Sequence, residues 1–171
     1  MQQETQFDLI VVGGGSLPPQ LYDRPHEDEL QPNRDRMEEQ VIHYCVAHGI
    51  PIIATCRGMQ YINVMFGGKL WYHPKLPVNR TRGVDHQVWL VKEQRNIWVN
   101  NYHSDCIYEE GLASCFEPLA IDRENHVVEA YGSDEMKILA LQWHPERRFE
   151  TANAYEETRK IILDFIQKYV K

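Results

Sequence analysis

The sequence has no long apolar run, no excess of basic residues and no closely spaced pair of cysteines. A helix that crosses a bilayer needs about 20 mostly apolar residues, and a signal peptide needs an apolar core, whereas residues 1–5 are polar. A formal net charge of -7 disfavours binding to the phosphates of nucleic acids. We therefore expect a cytoplasmic protein without a membrane or nucleic-acid partner.

The four cysteines show no CxxC spacing, which argues against a zinc knuckle or a thioredoxin-type pair. Nothing in the spacing of Cys, His, Asp or Glu predicts a metal site, and we expect no cofactor. Cys45, Cys106 and Cys115 are expected to be core or incidental thiols. A chain of 171 residues buries roughly 70% of its extended surface on folding, so the sequence predicts a single domain, 1–171, without disulfide or metal cross-links.

Short apolar segments predict the strands. Residues 8–12 read DLIVV and end at three glycines, and residues 50–54 read IPIIA; both are typical of strands buried on two faces. Alternation at 86–91 predicts a more exposed strand, and 122–125 predicts a hairpin turn. Further strands are predicted at 97–99, 116–121, 126–130 and 138–142. We expect an α/β fold with a mixed, mainly parallel sheet flanked by helices.

Three helices are predicted between and after these strands. Asn33 is placed as the cap of the first, which Gly49 ends, and 59–66 forms the second, closed by two glycines. Residues 16–33, which contain four prolines, are expected to be a surface loop. Helical spacing is followed in the first helix by Met37, Val41, Tyr44, Cys45 and His48, and in the last by Tyr155, Ile161, Ile162, Phe165, Ile166 and Tyr169.

Cys56 lies between the predicted strand at 50–54 and the next helix. A sharp turn there exposes a nucleophile at the carboxyl end of the sheet, and the amino terminus of the helix favours a thiolate. Gly58 removes a side chain that would crowd the approach of helix to strand. The alternative is a small buried hydrophobic residue, which cysteine statistics alone favour.

The segment that reads WHPE, residues 143–146, follows another predicted buried strand and so emerges at the same edge. Pro145 holds His144 extended, so His144 and Glu146 project to one side. They can act as a base and its orienting carboxylate. Taken alone, the segment would be interpreted as a surface histidine beside a proline.

These motifs together resemble the class I glutamine amidotransferase superfamily, in particular its γ-glutamyl hydrolase branch, whose fold is flavodoxin-like. The matching pieces are GGG at 13–15, CRGMQ at 56–60, FGG at 66–68, VNNYH at 99–103 and WHPE at 143–146. The resemblance implies that Cys56 is the nucleophile, His144 the general base and Glu146 its orienting partner.

The resemblance also implies an oxyanion hole formed by the backbone N–H of Arg57 and by the loop that contains Gly14 and Gly15. Two departures from the family pattern are visible. Family members begin with a further strand and helix that this chain is expected to lack, and many have glycine where this chain has Ala54. The first departure leaves solubility and oligomeric state open, including a homodimer.

The branch includes stand-alone hydrolases of γ-glutamyl-GABA and of γ-glutamyl-CDP-amidate, and the Arg34-Asp35 pair together with CRGMQ looks most like these. Their substrates need a cation for the α-carboxylate and an acceptor for the ammonium group; Arg34, Asp35 and Gln60 are the candidates. A solvated helix start is the alternative for Arg34 and Asp35.

Two further segments are candidates for substrate contact. Asn101, Tyr102 and His103 are expected to line the pocket, with His103 as a packing group rather than a second base. Residues 69–86 are rich in Lys, Arg and His, including Lys75 and Arg80, and could bind a phosphorylated or nucleotide-linked substrate. A solvated loop is the alternative for that segment.

The sequence thus predicts a hydrolase that cleaves the γ-glutamyl C–N bond of a small molecule through a glutamyl thioester on the cysteine nucleophile of a catalytic triad. One alternative is a glutaminase subunit that delivers ammonia to a separate synthase. The other is a non-catalytic regulatory module that retains the fold.

Overall fold

A computed structural model describes residues 7–15, 17, 31–71 and 82–170. Within them an eight-stranded sheet is flanked by three helices. The elements in chain order are β1 (Ile10–Val12), α1 (Pro32–His48), β2 (Ile52–Thr55), α2 (Arg57–Met65), β3 (His86–Leu90), β4 (Arg95–Val99), β5 (Ile107–Tyr108), β6 (Glu117–Asp122), β7 (Val127–Ser133), β8 (Ile138–Leu141) and α3 (Ala154–Tyr169).

The sheet has the strand order β1-β2-β8-β7-β6-β3-β4, and β5 pairs with β7. The β1–β2 and β2–β8 pairs are parallel, and the other described pairs are antiparallel. The predicted mixed sheet is confirmed, but its antiparallel part is larger than expected. Turns of four residues at 91–94, 123–126 and 134–137 join neighbouring strands, and connections this short can link only antiparallel strands.

The strands β2 and β8 have a hydrophobic core on each face. On β2, Ile52 and Ala54 pack in one cluster with α1 and α2, whereas Ile53 packs in the other with Phe165 of α3. The same alternation on β8 sends Ile138 to the first cluster and the next residue to the second. Because both faces of β2 and β8 are covered, nearly all of their positions are apolar. On β1, Val11 is exposed, so this strand is not buried on both faces as predicted.

Helix α1 differs from its prediction at its start and on its buried face. Gln31 is the N-cap and Pro32 the first helical residue, a position that the fixed φ of proline suits. The predicted cap, Asn33, therefore lies inside the first turn. Met37 and Tyr44 are exposed, and the buried face carries Asp35, Ile42 and Cys45. Gly49, in the left-handed conformation, ends the helix as predicted.

The predicted apolar stripe of α3 packs against the sheet, except at its first residue. Phe165 is buried, and Ile161, Ile162 and Ile166 pack against the same cluster. Tyr155 is exposed and instead has its ring 6.4 Å from that of Phe149. No helix in the described part of the chain has the length and apolar character needed to cross a bilayer.

Several expectations lie outside the described residues or are not tested by them. Most of the predicted surface loop at 16–33 and residues 72–81 of the basic segment, including Lys75 and Arg80, lie outside the described ranges. β1 is at one end of the described sheet. The absence of a preceding strand and helix, the single-domain assignment and the homodimer stay predictions.

Candidate active site

The carboxyl ends of the parallel strands β2 and β8 bring the Cys56 and His144 segments to one edge of the sheet. Thr55 pairs with Leu141 in the ladder, and the Cys56 N–H donates to the Leu141 carbonyl over 2.8 Å. His144 follows three residues after the end of β8. This edge is where open α/β sheets place ligands.

Cys56 occupies a sharp turn between β2 and α2. Its φ of 50° and ψ of -107° are uncommon for a residue with a side chain, and they are typical of a nucleophile elbow. A Cβ atom on Gly58 would lie 2.3 Å from the Val12 carbonyl oxygen, so only glycine fits this close approach of helix to strand. The predicted role of Gly58 is confirmed.

Burial opposes the thiolate of Cys56, which the start of α2 was expected to favour. Burial raises its pKa to about 11, against the opposing effects of the Arg57 backbone N–H and the Arg147 charge. The side chain is withdrawn from water at a residue exposure of only 8%, and desolvation disfavours the anion more than the helix start favours it. A base must therefore remove the proton during attack.

His144 and Glu146 are in direct contact. The Nδ1 atom of His144 lies 2.6 Å from Oε1 of Glu146, and an ionised carboxylate can only accept, so Nδ1 carries the hydrogen and Nε2 is left as the acceptor. Burial lowers the pKa of His144, and Glu146 partly opposes this effect. The contact forms across a turn in which Arg147 N–H donates to the His144 carbonyl over 3.1 Å, rather than along an extended segment as predicted.

Asn100 fixes the backbone of His144, a role that the sequence analysis missed. Its Nδ2 donates to the His144 carbonyl over 2.8 Å, and the His144 N–H donates to its Oδ1 over 2.9 Å. The side chain is fully buried at the end of β4. The side-chain amide thus bonds both the N–H and the carbonyl of one residue, as the backbone of a neighbouring strand would. In the sequence, only the position of Asn100 directly after a predicted strand could have suggested this role.

Tyr102 packs against the His144 ring, and Arg147 packs on Tyr102. The rings of Tyr102 and His144 meet edge to face with centroids 5.6 Å apart, and the Arg147 guanidinium lies 4.5 Å from the Tyr102 centroid. Arg147 is partly exposed, and its charge lowers the pKa of both Cys56 and His144. The sequence analysis also missed Arg147, although it directly follows WHPE.

Asn101 and His103 are both buried. The Oδ1 atom of Asn101 has no hydrogen-bond partner among the described residues. His103 Nδ1 lies 3.0 Å from the Asp105 carbonyl, and its Nε2 lies 3.6 Å from Oε2 of Glu129, a fully buried residue of β7. These contacts place His103 in a buried charged cluster, which agrees with a packing role.

The glycine loop, residues 13–15, contacts His144. A Cβ atom on Gly14 would lie 2.8 Å from Cε1 of His144, and one on Gly15 would lie 2.6 Å from Nη1 of Arg34. Gly15 has a φ of 145°, which side chains rarely adopt. The loop therefore lies between the imidazole and the first turn of α1.

The three predicted contacts for the glutamyl group are bound to other partners. Arg34 donates to the Gly14 carbonyl over 2.8 Å, and the carboxylate of Asp35 accepts from the buried Arg57 guanidinium. Gln60 donates through Nε2 to the Asp105 carbonyl over 2.9 Å, and the same nitrogen lies 3.1 Å from Oε1 of Gln142. In the structure these side chains hold protein segments together.

The described ranges contain no group of three His, Cys, Asp or Glu side chains that could hold a metal ion. All four cysteines are free: Cys45, Cys56 and Cys106 are buried, and Cys115 is exposed.

Comparison with known proteins decides the family. The family model described as Peptidase C26 matches residues 4–146. The chain belongs to this family. It is 30% identical over 162 residues to the glutamine amidotransferase-like protein YvdE of Lactococcus lactis. The matched region covers 84% of the chain and 67% of YvdE. The predicted resemblance to class I glutamine amidotransferases and γ-glutamyl hydrolases is confirmed.

This member of the Peptidase C26 family is also similar to a hydrolase and to a solved structure. It is 28% identical over 169 residues to the γ-glutamyl-γ-aminobutyrate hydrolase PuuD of Escherichia coli. The matched region covers 82% of the chain and 65% of PuuD. A glutamine amidotransferase from Thermotoga maritima, 18% identical, has the same fold with a TM-score of 0.63 over 95% of this chain and 65% of that one. The chain thus spans about two thirds of the length of these relatives. The family assignment supports a hydrolase that acts on C–N bonds.

Proposed function

We propose that this chain is a cysteine-dependent hydrolase that cleaves the γ-glutamyl C–N amide bond of a small molecule and releases glutamate. The observation that carries the proposal is the 2.6 Å contact between His144 Nδ1 and Glu146 Oε1 at the edge of the sheet that also bears Cys56. The family assignment and the similarity to PuuD support the choice of bond.

In the first half-reaction, Cys56 Sγ attacks the γ-carbonyl carbon while its proton passes to Nε2 of His144. This transfer is needed because the free thiol, with its raised pKa, is protonated at neutral pH. The tetrahedral oxyanion accepts hydrogen bonds from the N–H groups of Arg57 and the glycine loop. The C–N bond then breaks, the amine leaves with the proton from His144, and a glutamyl thioester remains on Cys56.

In the second half-reaction, water attacks the thioester while His144 removes its proton. The second tetrahedral intermediate collapses, glutamate leaves, and the Cys56 thiolate regains its proton from the imidazolium. Glu146 stabilises that imidazolium in both halves and keeps Nε2 facing the reacting atoms. Both steps use only residues of this chain, and no cofactor takes part.

Labelling with diazo-oxo-norleucine, a γ-glutamyl-directed electrophile, tests the site. We expect one adduct on Cys56, found by mass spectrometry, that is absent in Cys56→Ala and retained in Cys115→Ala, a control at an exposed thiol. Labelling that persists in Cys56→Ala, or that is confined to Cys115, would contradict the proposal.

The group on the γ-nitrogen is the finer question. The name of PuuD supports γ-glutamyl-GABA, whereas the basic composition of residues 69–86 supports a phosphorylated or nucleotide-linked amide such as γ-glutamyl-CDP-amidate. Hydrolysis of both compounds and of glutamine should be compared as kcat/KM. Equal values for the first two would remove the case for the basic segment.

A second candidate is a glutaminase subunit that supplies ammonia to a synthase, favoured by the similarity to the glutamine amidotransferase-like YvdE. The two candidates differ in their dependence on a partner. Hydrolysis of glutamine that is weak in the isolated chain and rises sharply when a synthase is added would favour the subunit. High activity of the isolated chain on a larger γ-glutamyl amide would favour the stand-alone hydrolase.

A further inference from the structure

Four charged side chains connect the first turns of α1 and α2. The guanidinium of Arg57 is fully buried and donates to the carboxylates of Asp35 and Glu38. The other oxygen of Glu38 accepts from Nε of Arg34 over 2.7 Å. The carboxylate of Glu38 thus bridges the guanidinium groups of Arg34 and Arg57, and it belongs to α1.

Arg34 also binds the glycine loop. Its Nη2 lies 2.8 Å from the Gly14 carbonyl oxygen and 3.4 Å from that of Gly13. In a trans peptide the carbonyl and the N–H of the next residue point in opposite directions. The N–H groups of Gly14 and Gly15 must therefore point away from the Arg34 guanidinium.

Both predicted sources of oxyanion donors are consequently attached to the same turn of α1. Arg34 holds the carbonyl side of the glycine loop, which also contacts the His144 ring through Gly14. Asp35 and Glu38 hold the side chain of Arg57, whose backbone N–H directly follows Cys56.

We propose that Arg34 is a positioning residue that sets the orientation of the glycine-loop peptides, so that their N–H groups serve the oxyanion hole. Asp35 and Glu38 bind the Arg57 side chain and so fix the position of the Arg57 backbone N–H relative to that loop. The proposal rests on Cys56 being the acyl-accepting nucleophile of the proposed function, and it assigns Arg34 and Asp35 a role other than contact with the glutamyl group.

The chemistry of the pair favours this role. Glycines rotate easily about φ and ψ, so three in succession need an external contact to keep one peptide orientation. A guanidinium is planar and has five N–H donors, so it can bind a carboxylate and carbonyl oxygens at the same time, which a lysine ammonium on a flexible stem does poorly. A hydrogen bond from a charged donor is also stronger than one from a neutral donor.

The test compares two reactions of Cys56 in a Cys115→Ser background. Acylation by p-nitrophenyl acetate passes through a tetrahedral oxyanion, whereas alkylation by iodoacetamide does not. Both depend equally on the thiolate, so their rate ratio reports the oxyanion hole. We expect Arg34→Met to lower this ratio about 10- to 100-fold, less than the direct loss of a donor. The control Arg36→Met, at an exposed position of the same helix, should leave it unchanged.

Arg34→Lys, which keeps the charge, should give an intermediate ratio, and it decides the matter if Arg34→Met does not fold. A ratio equal to that of the wild type in the folded Arg34 variants would overturn the proposal, as would a wild-type protein that is alkylated but not acylated at Cys56. Because p-nitrophenyl acetate has no γ-glutamyl group, a wild-type protein that is acylated yet hydrolyses no γ-glutamyl amide would refute only the proposed function.

Discussion

Cys56 and His144 show how burial sets the chemistry of single residues in this site. Burial raises the pKa of the thiol and lowers that of the imidazole, so each shift favours the neutral form. Both shifts disfavour a resting thiolate on Cys56 and a resting imidazolium on His144. Neutral forms of both groups suit a mechanism in which the proton moves as the sulfur attacks.

The raised thiol pKa predicts a specific response of Cys56 to pH. Because the reactive thiolate fraction increases tenfold per pH unit below the pKa, iodoacetamide alkylation of Cys56 should rise about tenfold per unit from about pH 8 to pH 10. The rate is measured on the Cys56 peptide by mass spectrometry in the Cys115→Ser background. A rate already constant above about pH 7 would show a preformed thiolate and contradict this assignment.

The carboxylate of Glu146 predicts the direction of a shift in the pH profile. Neutral His144 is the active base, so activity is lost as pH falls through its pKa. Glu146 raises that pKa, so Glu146→Gln should move the acidic limb of kcat/KM to lower pH and reduce kcat by up to about 10⁴-fold. Glu150→Gln, at a nearby exposed position, serves as the control. A limb that moved to higher pH would contradict the assigned contact.

Among the secondary-structure elements, the approach of α2 to β1 is the tightest constraint on the site. The amino-terminal turn of α2 lies so close to β1 that Gly58 faces the Val12 carbonyl without an intervening side chain. Since Cys56 directly precedes this helix, any displacement of α2 changes the elbow as well.

Gly58→Ala should therefore destabilise the fold and disable the site. The added methyl group would meet a backbone carbonyl that cannot turn aside, and overpacking of this kind costs about 1–3 kcal/mol. Urea denaturation measures the free energy of unfolding. Gly13→Ala, whose Cβ atom would have no neighbour within 4 Å, should change it by less than about 0.5 kcal/mol. Equal stability of both variants would refute the close approach.

Across the whole molecule, Glu129 links the antiparallel half of the sheet to the active-site loop. Its two carboxylate oxygens lie 3.5 Å from Nε2 of His86 on β3 and 3.6 Å from Nε2 of His103 beside the site. Burial alone would raise the pKa of Glu129, but these two histidines outweigh burial and hold it well below its usual range. A buried carboxylate is stable in the folded protein only while its partners remain in place.

Removal of Glu129 should accordingly weaken the entire fold. Glu129→Ala leaves the largely buried imidazoles of His86 and His103 without the carboxylate that they face, and leaving a buried polar group unpaired costs about 1–3 kcal/mol. Glu117→Ala, an exposed position on β6, is the matched control and should cost less than about 0.5 kcal/mol. Thermal and urea unfolding of both variants decide this, and a Glu129→Ala protein as stable as the control would show that the cluster contributes nothing.

Local patterns in the sequence determined the type and order of the elements around the site. The mostly apolar runs at 8–12, 50–54 and 138–142 predicted strands correctly because β1, β2 and β8 consist almost entirely of apolar residues, with Thr55 as the exception. Gly49 and Gly58 were interpreted correctly for a similar reason, since each meets a steric demand that its immediate neighbours define.

Tertiary structure decided what depends on distant contacts and on burial. Asn100 and His144 are 44 residues apart, and Arg34 and Gly14 are 20 apart; no local pattern reveals either hydrogen bond. The thiol pKa likewise follows from how completely packing removes Cys56 from water, which outweighs the helix start that sequence does reveal. Sequence therefore identified candidate reactive groups, while packing set their protonation and connected the helix residues to the glycine loop.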